Sequence, residues 1–340
     1  MTALRLTHEI LTVRTAHPFA IARGTQQEYR VVWVRLADGD GLEGWGEADP
    51  SWYYGETADT VAAALGVYAT VLPDDPFRLE EADAAMMRAL CGNAAARMAV
   101  SAALHDLAGK RLGVPLWRWW GLDPSRAPRS SFTIGLDTPE RVRAKVREAS
   151  AYPVLKVKVG TPDDAAVLRA VRETTDRPIR VDANAGWTAK QALARLPLLA
   201  ELGVELIEQP VAPDDLEGLA AVRRAAPMPV LADESCRTAA DIPRLAGVVD
   251  GINIKLAKCG SLREAQRMIA VARAHHLAVM VGCMIETSLG ITAAAHLAPL
   301  LDYLDLDGAL LLARDPFAGA SLAAGQVTLP TSPGLGVTTR

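Results

Sequence analysis

The sequence is short of several features that mark whole classes of protein. It has four cysteines in 340 residues, Cys91, Cys236, Cys259 and Cys283. They are too scattered for a metal-binding spacing, so the simple reading is a reduced, cytoplasmic setting. No apolar run approaches the roughly 20 residues that cross a bilayer, and the opening Met-Thr-Ala-Leu-Arg-Leu-Thr-His lacks the apolar core of a signal peptide. A lysine or arginine block is also missing, and the net charge is -4. That balance argues against nucleic acid and acidic membrane surfaces as partners.

What is present is a large apolar fraction, 50% of the residues, and a rhythm. Five short apolar runs end in charged side chains: Leu155-Lys-Val-Lys158, Ile179-Arg-Val-Asp-Ala-Asn184, Leu206-Ile-Glu208, Val230-Leu-Ala-Asp-Glu234 and Ile252-Asn-Ile-Lys255. The intervals are 24 from Lys158 to Asp182, then 26 to Glu208, 25 to Asp233 and 22 to Lys255. One strand, one helix and two loops fill such an interval, and its repetition predicts a parallel (β/α) barrel. Residues at the strand C-termini of such a barrel converge on one mouth.

Before the barrel, residues 4 to 48 read as an antiparallel meander, with His17 to Gly24 as a loop punctuated by Pro18 and Gly24. Helical spacing follows from about Ala58 to Leu112. Residues 1–125 therefore read as an α+β domain and 126–317 as the barrel. The irregular tail, 318–340, is expected to return to the first domain.

Asp182, Glu208 and Asp233 are hard oxygen donors on three successive strands, a set suited to Mg²⁺ or Mn²⁺ rather than zinc. Asn184 shares the strand face of Asp182 and is placed to orient it or a water on the metal; Glu234, of opposite parity to Asp233, reads as a supporting group behind it. Lys158 and Lys255 lie on the strands that bracket the three acids. Lys156 has the parity of Lys158 and points inward one layer deeper, where its charge is expected to weaken the hold of Lys158 on a proton. Lys258, past its strand end, has no assigned role. A metal flanked by two lysines suits removal of a carboxylate's α-proton from one face and its return on the other, through an enolate.

The motifs Lys156-Val-Lys158, Asp182-Ala-Asn184, Glu208-Gln-Pro210, Ala232-Asp-Glu-Ser235 and Asn253-Ile-Lys255, in this order, resemble the enolase superfamily in its muconate lactonizing enzyme subgroup. Asp106 to Leu116 is similar to that subgroup's helix between cap and barrel, although His105 stands where tryptophan is expected. Gly282 to Gly290, Asp305-Leu-Asp307 and Pro18 to Gly24 resemble the dipeptide epimerases of the L-Ala-D/L-Glu type. The resemblance implies an α/β fold, a (β/α)7β modified TIM barrel with an N-terminal α+β capping domain. It also implies a Mg²⁺-dependent isomerase that inverts the α-carbon of a dipeptide's C-terminal residue by two-base proton transfer.

In that scheme Lys158 and Lys255 are the acid/base pair, and Asp182, Glu208 and Asp233 hold the metal. Arg23, Thr133, Lys156, Cys283, Met284, Glu286, Asp305 and Asp307 line the substrate site, Asp305 and Asp307 taking the substrate ammonium. A desolvated Arg23 is expected to favour an acidic C-terminal side chain, as in Ala-Glu. The partner is a small molecule, and the family implies a homo-oligomer. The same scaffold also serves muconate-type cycloisomerases, o-succinylbenzoate synthases and N-succinylamino acid racemases, and a barrel without catalysis is the reading from another class.

Overall fold

The computed structural model describes residues 4–340. Its first unit is a three-stranded antiparallel sheet of β1 (Arg5–Ile21), β2 (Gly24–Ala37) and β3 (Glu43–Ala48). The segment from His17 is not a separate loop. It continues β1 to Ile21, and Phe19, Ala20 and Ile21 pair with Gln26, Thr25 and Gly24. Pairing lapses only between Arg14 and Phe19, where Pro18 has no N–H for the ladder.

Three helices cover this sheet, α1 (Ala58–Tyr68), α2 (Leu79–Ala89) and α3 (Ala94–Leu112). α3 is buried on all sides from Ala94 to Gly109 because the sheet lies on one face and the barrel on the other. Small residues make this approach feasible. A Cβ added to Gly44 would lie 2.0 Å from the Ala103 carbonyl oxygen, and one on Gly46 would lie 2.0 Å from that of Ala99.

The second unit is an eight-stranded parallel sheet: β4 (Phe132–Ile134), β5 (Leu155–Lys158), β6 (Ile179–Asp182), β7 (Val204–Glu208), β8 (Val230–Ala232), β9 (Gly251–Ile254), β10 (Ala278–Gly282) and β11 (Tyr303–Asp305). Each strand pairs with the next in parallel register, and helical turns occupy all seven connections. A parallel bridge from Ser130 to Leu304 closes the ring, reinforced by Ser131 N–H donating to Leu304 O. Alternation sends Val157, Val181, Ile207, Val230, Ile252 and Val279 outward into the helix-covered core. Lys156, Lys158, Asp182, Glu208, Asn253 and Lys255 are left inside.

The tail is tied to α3 and the residues after it. Asp106 Oδ1 accepts the Leu335 N–H at 2.7 Å, Gly334 N–H donates to Val114 O, and Leu116 N–H donates to Gly334 O. The other Asp106 oxygen accepts from Trp45 N–H and from Lys110. His105, in the place of the expected tryptophan, is buried; its Nδ1 lies 2.7 Å from Ser101 O, and its ring sits edge-on to Trp120. Burial pushes its pKa down to about 4, so it packs as a neutral ring. All four cysteines are free thiols, and no helix among the described residues is long and apolar enough to cross a membrane.

Candidate active site

The nearly constant strand intervals place Asp182, Glu208 and Asp233 at neighbouring strand ends, where one oxygen of each lies within 4.8 Å of the others. All three are at most 1% exposed. Each is fixed from behind. Asp182 Oδ1 accepts the Asn184 N–H at 2.8 Å, and Glu208 Oε1 accepts from Asn253 Nδ2 at 2.7 Å. The Asp233 N–H is held by Gln209 Oε1 at 2.9 Å, while Lys258 Nζ donates to Asp233 Oδ1 and to the carbonyls of Asp233, Cys236 and Asn253. Asn184, Ala185 and Gln209 have left-handed backbone angles, φ 45°, 62° and 35°, so the chain turns sharply just beyond the acids.

Burial pushes the Glu208 pKa up to about 8, and repulsion from Asp182 adds to it against Lys156. Burial also opposes ionisation of Asp182, but Lys156 and Lys158 prevail and hold its pKa below the usual carboxylate range. Asp233 follows the same balance, with Lys255 and Lys258 as the prevailing charges. Glu208 Oε2 lies 2.6 Å from Lys156 Nζ, so both of its oxygens are held in place. Three buried acids with one oxygen each turned to a common point, and with orienting groups on their other atoms, fit a hard divalent cation such as Mg²⁺.

Lys158 Nζ lies 2.7 Å from Asp182 Oδ2, and Lys255 Nζ lies 2.8 Å from Asp233 Oδ2. They stand on β5 and at the end of β9, four strands apart in a ring of eight and so on opposite walls. Burial pulls the Lys255 pKa down, yet Asp233, Glu208 and Glu234 outweigh it and hold the ammonium above the ordinary lysine range. Lys156 is enclosed by Glu208 at 2.6 Å, Asp305 at 2.7 Å and Asp182 at 3.1 Å. Its charge is thus spent on the acids of the barrel interior.

A cavity of about 660 Å³ lies between the cap and this mouth. Lys158, Lys255, Lys156, Thr133, Cys283, Met284, Asp305, Asp307, Asn184 and Arg23 all reach it. Glu286 does not; its Oε1 accepts the Met284 N–H at 3.0 Å, so it braces the loop from behind. The two aspartates at the end of β11 differ. Asp305 is matched by Lys156 and by Ser131 Oγ, whereas Asp307 is held, among the described residues, only by Thr133 N and Oγ1, at 2.6 and 3.2 Å. Burial and repulsion from Asp305 push the Asp307 pKa up to about 7.

Arg23 points inward but is not a free cation. Its Nη1 lies 2.7 Å from Glu234 Oε1 and donates to Asn184 O at 2.9 Å, and its guanidinium stacks 4.3 Å from the centre of the Tyr53 ring. An acidic side chain would have to compete with Glu234 for it. The expectation of a desolvated Arg23 does not include this partner: Glu234, of opposite parity to Asp233, turns its carboxylate toward the cap and meets the guanidinium there. The roles of Lys258, Gln209 and Asn253 are not legible in sequence, where Lys258 has none and the other two stand only as motif members. Only the repetition of polar residues within one or two places of each strand end hints at them.

Two family models match the chain. Residues 5–121 match the N-terminal domain of mandelate racemase and muconate lactonizing enzyme, and residues 139–340 match a domain described as enolase C-terminal domain-like. The L-Ala-D/L-Glu epimerase of Bacteroides thetaiotaomicron is 41% identical over 98% of this chain and 88% of its own length. The dipeptide epimerase of Enterococcus faecalis, solved with Mg and L-Leu-L-Tyr, superposes with a TM-score of 0.94 at 34% identity, covering 99% of this chain and 100% of that one. The L-Ala-D/L-Glu epimerase of Bacillus subtilis, solved with substrate bound, gives 0.95 at 33% identity, covering 100% and 99%.

Proposed function

The chain belongs to the mandelate racemase and muconate lactonizing enzyme branch of the enolase superfamily, and from that premise we infer that it is a Mg²⁺-dependent dipeptide epimerase of the L-Ala-D/L-Glu reaction type. The observation that carries this reading is the pair of lysines on opposite walls of one cavity, each beside a different acid of the triad. Elimination needs one base; inversion needs one on each face.

Asp182, Glu208 and Asp233 would hold the ion. When bound, it offsets the negative charge that builds on the substrate carboxylate as the α-proton leaves. One lysine, neutral at the start, takes that proton while the other, as ammonium, delivers one to the opposite face. Their roles reverse with the opposite epimer. Thr133 holds Asp307 open toward the substrate ammonium, and the cap closes the mouth against bulk water. An anionic lactone or succinyl group would meet Asp307, which no cation balances, and this disfavours the cycloisomerase and succinyl-substrate readings. A capping unit of residues 1–125 with the tail 318–340, a barrel of 126–317, a cytoplasmic location and a homo-oligomer complete the proposal; mass measurement in solution tests the last.

Incubation with a dipeptide panel in D₂O and Mg²⁺, followed by mass analysis, should show deuterium at one α-carbon and both epimers as products. Dialysis against EDTA should abolish exchange and added Mg²⁺ should restore it. Full activity in excess chelator would refute the metal's role.

A further inference from the structure

Every cation on the cavity wall is already matched by a carboxylate: Arg23 by Glu234, Arg30 by Asp59, Lys156 by Asp305, Lys158 by Asp182 and Lys255 by Asp233. The wall's carboxylates are not all matched in return. Glu28 pairs with Arg14, and Glu56 accepts from the N–H groups of Ala94 and Ala95 at the start of α3. Asp307 has Thr133. Asp49 alone has nothing: it is 5% exposed, lines the cavity, and makes no hydrogen bond or ion pair among the described residues.

Strand alternation explains its position. Ala48, the last residue of β3, packs into the cap core, so the side chain just past the strand emerges on the face turned to the barrel, as Glu47 does before it. Burial, then Glu286 and Glu47, push the Asp49 pKa well above the ordinary range; Lys255 acts the other way, but its ammonium faces Asp233. A buried acid among like charges with no partner is costly. The wall around it also carries Tyr53 and Tyr54, whose rings already stack with Arg23 and Arg237, and Trp52, whose ring face has no such cation among the described residues and can attract one.

We propose that Asp49 receives a cationic side chain of the substrate, so that this chain prefers dipeptides containing lysine or arginine. The proposal rests on the epimerase reading and specifies its substrate class. The test compares matched peptides, Ala-Lys with Ala-norleucine and Lys-Ala with norleucine-Ala, by α-deuteration in D₂O with Mg²⁺, on the wild type and on Asp49→Asn.

In the wild type, at least one lysine peptide should exceed its norleucine partner in kcat/KM by tenfold or more. Asp49→Asn should cut that ratio tenfold or more. If the variant does not fold, the wild-type ratios decide. Ratios near one for both pairs, or a ratio unchanged by Asp49→Asn, overturn the proposal and leave the epimerase reading standing. An equal fall in kcat for all four peptides would mean that Asp49 acts on Lys255 and not on substrate, which also overturns it. No exchange with any peptide overturns both.

Discussion

In the proposed mechanism each of the opposed lysines answers to one face of the substrate's α-carbon, and removing one would leave the other with its own half of the reaction. Lys158→Ala and Lys255→Ala should each abolish epimerisation, while one of them still exchanges the α-proton of a single epimer with solvent. Near wild-type epimerisation by either variant would end the two-base mechanism. Lys258 has a different task, since its buried ammonium holds Asp233 from below. Lys258→Met should destabilise the fold by about 3 kcal/mol, because a fully buried carboxylate loses a partner, and should weaken Mg²⁺ binding in calorimetry. Stability and affinity unchanged would show that Lys255 suffices. The acids and the two outer lysines are legible in sequence because strand parity and a constant interval determine their wall and height. Lys258 is not, because the single turn Leu256–Cys259 folds it back beneath a neighbouring strand. Arg23 is half legible: its loop reaches the cavity, but its pairing across 211 positions with Glu234 has no local signature.

At the level of elements, the cap depends on how closely α3 approaches the sheet. Gly46→Ala forces a Cβ onto the Ala99 carbonyl, and overpacking of this kind costs about 3 kcal/mol. The urea midpoint should fall accordingly, and an unchanged midpoint would mean that the helix can slide. A run of alanines against a strand with glycine at alternate positions is a readable sign of close packing, but only once the partners are known. The same limit applies to the β1–β2 hairpin. Pro18 and Gly24 look like a loop in sequence, yet after the lapse at Pro18 the hairpin ladder resumes at Phe19 and runs to the Ile21–Gly24 pair.

For the whole molecule, the contact between cap and barrel contains a titrating group. Glu47, on β3, accepts the Thr287 N–H from the barrel at 2.9 Å, and burial, reinforced by Glu286, pushes its pKa up to about 8. The folded pKa lies above the unfolded value near 4.3. Its contribution is therefore complete below about pH 4 and is lost as pH rises through about 8. With Mg²⁺ present throughout, the urea midpoint of the wild type should fall between pH 5 and pH 8 more steeply than that of Glu47→Gln. Parallel curves would assign the dependence to other groups. The barrel's chain order follows from its repeating interval, but this seam does not, since it joins residues 240 positions apart.

The bond from Leu335 to Asp106 spans 229 positions, and it bears on synthesis as much as on stability. While the ribosome is still making the barrel, α3 has already emerged with a buried carboxylate lacking one of its donors. The cap must therefore wait for the segment around Leu335, made after the barrel, before its packing is complete, and a chaperone that shields α3 during that interval would be protecting the face against which the barrel finally closes.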